Sequence, residues 1–324
     1  MKKLTFLTLL FIFLLSACGG GEGDAVPADE HEQAAVEPLR VPPLSPIGEG
    51  ERPFVVATTS IIGDVVAQVG GEAIELTTLM AAGQDPHSYE PAAQQLTAVA
   101  NSNIIFVNGW DLEENLIRSL DSIGGDVPIV PVSAGIEPLA FQGNDELADP
   151  HVWFDVANVK QWTTTIADSL TAIDPANAET YAANAAAYQA QLDALDSDVR
   201  DAIGTIPPEK RKIVTNHGAF NYFANAYGVE IIGTVIPSMS ALAEPSAGEM
   251  AALIKTMNEN HLCTIFTETT LSDALAQTLA AELDGCEETA VYKLYTGAIG
   301  APGSGADSYI SMMRANVERV ASSE

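Results

Sequence analysis

The chain has 324 residues, of which 44 are acidic and 14 basic, giving a formal charge of −30. That balance excludes nucleic acid as a partner, because a polyanion is held by Lys and Arg that neutralise its phosphates. It draws cations, but screening confines the field of exposed charges to about 8–10 Å at ordinary salt, so charge alone selects no ligand.

Residues 1–17 read as an export signal, with MKK as a positive start and LTFLTLLFIFLL as an apolar run too short for a comfortable permanent span. The run ends in LSAC, which resembles the bacterial lipobox, so Cys18 is expected to carry lipid and become the mature N-terminus. Loss of Lys2 and Lys3 with this leader removes two positive charges, taking −30 to −32. Residues 18–50 are rich in Gly, Pro, Glu and Ala, the composition of an anchor followed by a disordered linker. His31, within DEHEQ, reads as a solvated residue of that linker. No later segment is apolar enough to cross a membrane.

From residue 51 onward, short apolar runs alternate with helical stretches. FVVATTS (54–60), IELTTLM (74–80), NIIFVNG (103–109) and VPIVPVS (127–133) form one set. KIVTNHG (212–218), VEIIGTVI (229–236), CTIFTE (263–268) and AVYKLYT (290–296) form a second. The alternation predicts an α/β fold with parallel sheets flanked by helices. Between the sets, residues 174–206 open with Asp174-Pro175 and continue in strong helix formers. Tyr181, Tyr188, Leu192, Leu195 and Val199 recur there at helical spacing, as in one long helix packed along both lobes. The expected division is an N-terminal lobe over 51–172, an interdomain helix over 173–206 and a C-terminal lobe over 207–324.

With Cys18 assigned to lipid, Cys263 and Cys286 remain as a pair in an oxidising compartment, and a disulfide is the natural reading. Each stands at or just before a strand, so neighbouring parallel strands would bring the two together at one edge. In open parallel sheets ligands bind beyond the carboxyl ends of the strands. His87 in DPHSYEP, His151 in DPHVWFD and His217 after KIVTN all fall in loops of that kind and can converge on one cleft. Neutral imidazole suits zinc and other late divalent metals, and each ring needs a polar neighbour to orient it. Asp85, Glu90, Asp149, Asp155 and Asn216 are at hand for this. His261, in NENHLCTIF, precedes a strand at the opposite end and reads as structural.

From about Phe54 onward the chain resembles the metal-binding lipoproteins of bacterial ABC importers for zinc and manganese, the cluster A-I solute-binding proteins. DPHSYEP, DPHVWFD, NHGAFNYFANAYG, AEPSAGEM and ADSYISMMRANV carry the resemblance together, in the family's order and spacing. It implies two lobes joined by a rigid helix, with metal held between them by His87, His151 and His217. Manganese-specific members usually have glutamate at the third position and zinc members histidine, so zinc is the expected ligand and manganese the runner-up. It also implies a monomer anchored by lipid on the outer side of the membrane, delivering to an importer permease driven by a separate ATPase. The chain itself has no GxxxxGK[ST] loop for ATP.

The chain departs from the family at the fourth ligand, where Gly297 stands in the place of the usual aspartate. The position is then open to water, to Glu268 or to an acid from a mobile loop, while Asp307 matches a further family aspartate and reads as structural. The stretch before His151, FQGNDELADPH, is short and has no extra histidine to gather metal. Three histidines with an open position also describe a hydrolytic zinc centre. Against catalysis, there is no HExxH helix, no evident general base beside a ligand and no GxSxG motif. A surface adhesin is compatible with the lipid anchor as a second role.

Overall fold

The computed structural model describes residues 37–323, except 124–126, 142–143 and 241–242. The expected export signal, Cys18 as the expected lipid anchor and His31 lie outside the described residues.

The N-terminal sheet contains β1 (Phe54–Ala57), β2 (Glu75–Thr78), β3 (Ile104–Val107) and β4 (Ile129–Pro131), all parallel, in the order β2-β1-β3-β4. All four residues of β3, Ile-Ile-Phe-Val, are buried, as expected of a central strand covered on both faces. The crossovers are α1 (Ser60–Gly70), α2 (Ala93–Ala100) and α3 (Glu114–Ile123). Thr59 caps α1, its side chain accepting from the amide of Ile62. A small antiparallel pair, β5 (Ala140–Phe141) and β6 (Asn144–Ala148), then leads into α4 (Val156–Ile173). This pair was not legible in the sequence.

The second sheet contains β7 (Lys212–Thr215), β8 (Glu230–Thr234), β9 (Thr264–Glu268) and β10 (Ala290–Leu294), in the order β10-β9-β7-β8 and again parallel. Its helices are α6 (Asn221–Tyr227), α7 (Ala247–Asn260), α8 (Ala274–Ala281) and α9 (Tyr309–Ala321). Gly228 ends α6 in the left-handed conformation, at φ 69°, which a residue without Cβ adopts at no steric cost. Ser246 and Glu249 form a reciprocal capping box at the start of α7. Cys263 and Cys286 are disulfide-bonded, closing the segment that contains β9 and α8.

The 27-residue helix α5 (Ala178–Gly204) joins the sheets after a short turn that starts at Pro175. Tyr181, Ala185, Tyr188, Leu192, Leu195, Val199 and Ile203 are its buried stripe. The helix packs on α1 and α4 on one side and on α6 and α9 on the other. At about 1.5 Å per residue it spans roughly 40 Å, long enough to brace both lobes.

Residues 37–50 depart from the expected disordered linker. They run extended over the N-terminal lobe, with Leu44 and Ile47 packed on the core and the Ile47 amide donating to the Ile173 carbonyl at 2.8 Å. Leu39 fills the space beside Gly109, where a Cβ would lie 2.4 Å from its Cδ1. The apolar residues of LRVPPLSPI are too sparse to register as a strand or helix, yet Leu39, Leu44 and Ile47 pack on the lobe while Val41 stays exposed, and the prolines lower the entropy lost on docking. No described helix is long and apolar enough to cross a membrane.

Candidate metal site

His151 and His217 are built to aim one nitrogen each. Asp149, just before His151, accepts on one oxygen from both the His151 amide at 2.9 Å and ring Nδ1 at 2.7 Å. That bond places the proton on Nδ1 and leaves the Nε2 lone pair free. Across the cleft, Glu268 at the end of β9 bonds Nδ1 of His217 in the same way. Both histidines and both carboxylates are buried, none more than 3 % exposed.

His87 comes from the loop after β2 and is only partly buried. Its amide donates to Asp85 Oδ1 at 3.3 Å, and the Ser88 hydroxyl donates to Asp85 Oδ2 at 2.8 Å. The loop is fastened by Tyr89 and Gln95, both donating to the Leu79 carbonyl.

The three rings converge through Nε2. His151 Nε2 lies 3.1 Å from that of His87 and 3.2 Å from that of His217. Ligand nitrogens on a tetrahedral zinc, with bonds near 2.0–2.1 Å, are separated by about 3.3–3.4 Å, so the spacing is close to that of a metal triad. Because carboxylates hold the Nδ1 protons of His151 and His217, their Nε2 atoms confront each other as lone pairs. Such a contact is stable only with a cation or proton between them. Among the described residues this is the one group of three or more His, Cys, Asp or Glu whose ligand atoms cluster in this way.

The electrostatics are graded across the triad. Burial, with the neighbouring His151 and His217, holds the His87 pKa well below the ordinary imidazole value and so favours the neutral ligand form. Burial also opposes charge on His217, but the Glu268 carboxylate and its hydrogen bond outweigh it and the pKa is raised. Burial raises Glu268 in turn, and the pull of His217 with the Thr296 hydrogen bond more than offsets it.

Several residues singled out in the sequence have other roles. Glu268 is not disposed as a fourth ligand, since one oxygen is on His217 and the other accepts from Thr296 Oγ1 at 2.5 Å. Asp307 accepts from the Gly303 amide and shapes its own loop. Asp155 caps α4. His261 ends α7 in the left-handed conformation, at the far end of β9 from Glu268. At Gly297 an added Cβ would meet Cδ of Pro86 at 2.5 Å, so the loop after β10 lies directly against the His87 loop.

Outside the triad a mouth of about 410 Å³ is lined by His87, Trp110, Asp111, Leu112, Glu114, Pro150, Met239 and Ser240. Trp110 and Asp111 of this lining, with Gly109 before them, have three successive positive φ values of 47°, 56° and, at Gly109, 100°. Strain of this kind in non-glycine residues concentrates at functional sites. The sequence reading missed these residues, and NGWD, with its glycine, was the available signal.

Comparison with known proteins agrees with this geometry. The profile of the family described as "ZnuA: Zinc-uptake complex component A periplasmic" matches residues 55–323. The chain is 34% identical over 318 residues to the manganese-binding lipoprotein MntA of Halalkalibacterium halodurans, covering 98% of this chain and 97% of that one. It is 30% identical to the manganese ABC transporter substrate-binding lipoprotein PsaA of Streptococcus pneumoniae, over 99% and 98% of the two chains. Among solved structures, the periplasmic zinc-binding protein TroA of Treponema pallidum superposes with a TM-score of 0.78 at 29% identity, over 84% of this chain and 99% of TroA. The Mn-bound periplasmic metal-binding protein of Candidatus Liberibacter asiaticus gives 0.74 at 28%, over 83% and 98%. Two parallel-sheet lobes on one bracing helix, three converging histidines and a match over most of the length place the chain in the ZnuA family.

Proposed function

We propose that the protein captures one divalent cation, zinc in preference to manganese, with His87, His151 and His217, and passes it to the permease of an ABC importer. The observation that carries this is the convergence of three Nε2 atoms, two of them fixed by carboxylates on the opposite ring nitrogen. The donor set favours zinc: nitrogen ligands suit it, whereas manganese is better served by oxygen, and no described carboxylate joins the triad. Manganese is the second reading, favoured by the relatives MntA and PsaA, whose names specify it. The fourth position is left to water.

Both named relatives are lipoproteins, which supports an extracytoplasmic protein held to the membrane through Cys18. Energy for transport comes from a separate ATPase, and the protein's part is binding and release without a catalytic step. The test is a competition titration of metal-stripped protein with zinc and manganese, counting bound metal per chain. One zinc that manganese displaces poorly is expected; a manganese preference overturns the choice of metal, and no tight site overturns the reading.

A further inference from the structure

Of the carboxylates that aim the two deep histidines, Asp149 is held directly from across the cleft and Glu268 through a residue of its own lobe. Asp149 belongs to the N-terminal lobe, but its second oxygen accepts from Asn221 Nδ2 at 2.7 Å and its carbonyl from the Tyr222 hydroxyl at 3.0 Å, both on α6 of the C-terminal lobe. Glu268 belongs to the C-terminal lobe, and its second oxygen accepts from Thr296 Oγ1. The Thr296 carbonyl in turn accepts from Trp153 Nε1 at 3.0 Å. Trp153 stands two residues after His151, packs its ring against that imidazole at 5.4 Å, and has its own carbonyl bonded by the Tyr309 hydroxyl of α9 at 2.7 Å. Trp153, Thr296 and Glu268 are all nearly fully buried, so water cannot readily replace these bonds.

On the reading that the triad holds metal, we infer that Asn221 and the Trp153–Thr296 pair are positioning residues that make the aim of each deep histidine depend on the docking of the opposite lobe. The arrangement is reciprocal. The N-terminal lobe's Asp149–His151 unit is steadied by α6, and the C-terminal lobe's Glu268–His217 unit by a threonine pinned to Trp153. When the lobes part, Asp149 loses its bond from Asn221 and Thr296, which holds Glu268, loses its bond from Trp153, so both rings are freed to turn. Ion lifetime is then set by the lobe contact as well as by the ligands, and a partner that opens the cleft releases the ion without competing for it.

The test compares Thr296→Val and Trp153→Phe, which remove one donor each and keep most of the shape, with Thr296→Ser, which keeps the hydroxyl. Each protein is loaded with zinc, release to an excess of chelator is timed, and the thermal midpoint is recorded with and without zinc. Thr296→Val and Trp153→Phe are expected to release zinc about tenfold faster and to narrow the gap between the two midpoints, with Thr296→Ser near wild type; loss of a group that orients a metal ligand has effects of about 10–100-fold. A purely structural role would lower both midpoints equally and leave the release rate unchanged, and that result overturns the inference. Wild-type protein that retains no zinc overturns the reading of the site instead, and the inference with it.

Discussion

The deep pair, His151 and His217, and the outer His87 are held by different means. Each deep ring is buried and clamped on Nδ1 by a carboxylate, Asp149 supported by Asn221 of the other lobe and Glu268 by Thr296, whose carbonyl Trp153 of the other lobe bonds. His87 rides on a loop of one lobe, its backbone fixed by Asp85 while no described residue hydrogen-bonds its Nδ1. The contrast teaches that the site combines a preorganised two-nitrogen seat with a more adaptable third arm. A seat gives affinity because its aim is fixed before the ion arrives. An arm gives an exit.

Breaking the contrast at the ligands should give the largest effects. His151→Ala and His217→Ala are expected to weaken zinc binding by roughly 100-fold or more, beyond the about 10–100-fold lost with a group that only orients a ligand. His87→Ala should cost less affinity and act more on the release rate, as stopped-flow chelation would read. Equal losses at all three positions would remove the distinction between seat and arm.

The orienting carboxylates come next. Asp149→Asn and Glu268→Gln are expected to lower affinity by about 10–100-fold while leaving one metal per chain. Titration by competing chelator measures this, and an unchanged affinity would mean that the rings are aimed by packing alone.

Acidity sharpens the comparison within the seat. The raised pKa of His217 means that it still holds a proton at pH values where an ordinary imidazole is neutral, and zinc must displace that proton. Affinity should therefore fall as pH falls, with the decline starting above the ordinary imidazole value. Zinc binding measured in two buffers of different ionisation enthalpy would count the protons released.

Smaller effects are expected away from the seat. Gly297→Ala adds a Cβ against Pro86 and so pushes the His87 loop, which should weaken binding several-fold through the arm, provided the rigid proline ring cannot yield locally. Cys263→Ser should cost about 3 kcal/mol of stability, as loss of the cross-link over a short segment does, with zinc affinity unchanged. The disulfide lies at the opposite end of β9 from Glu268, so a large affinity loss would reveal coupling along that strand.

The architecture was legible because each sheet is written as four short apolar runs, and α5 as a stripe from Tyr181 to Val199. His87, His151 and His217 were legible as loop histidines after or between such runs, and Asp149 as a neighbour in DPH. Glu268 was seen only as a candidate ligand, because nothing in IFTETTL tells whether its carboxylate points at a metal or at an imidazole. The Asn221, Trp153 and Thr296 contacts join residues 72 and 143 positions apart, and no local pattern encodes such pairings. The docked segment 37–50 was missed for the related reason that three scattered apolar residues acquire meaning only from the surface they meet.

The most direct test of the central claim is a crystal structure of the zinc-loaded protein with the ion located by its anomalous scattering. The account predicts one zinc bonded to Nε2 of His87, His151 and His217 at about 2.0–2.1 Å, with no protein carboxylate in its shell. Zinc found elsewhere, or bound by a Glu268 that has turned away from His217, would contradict it.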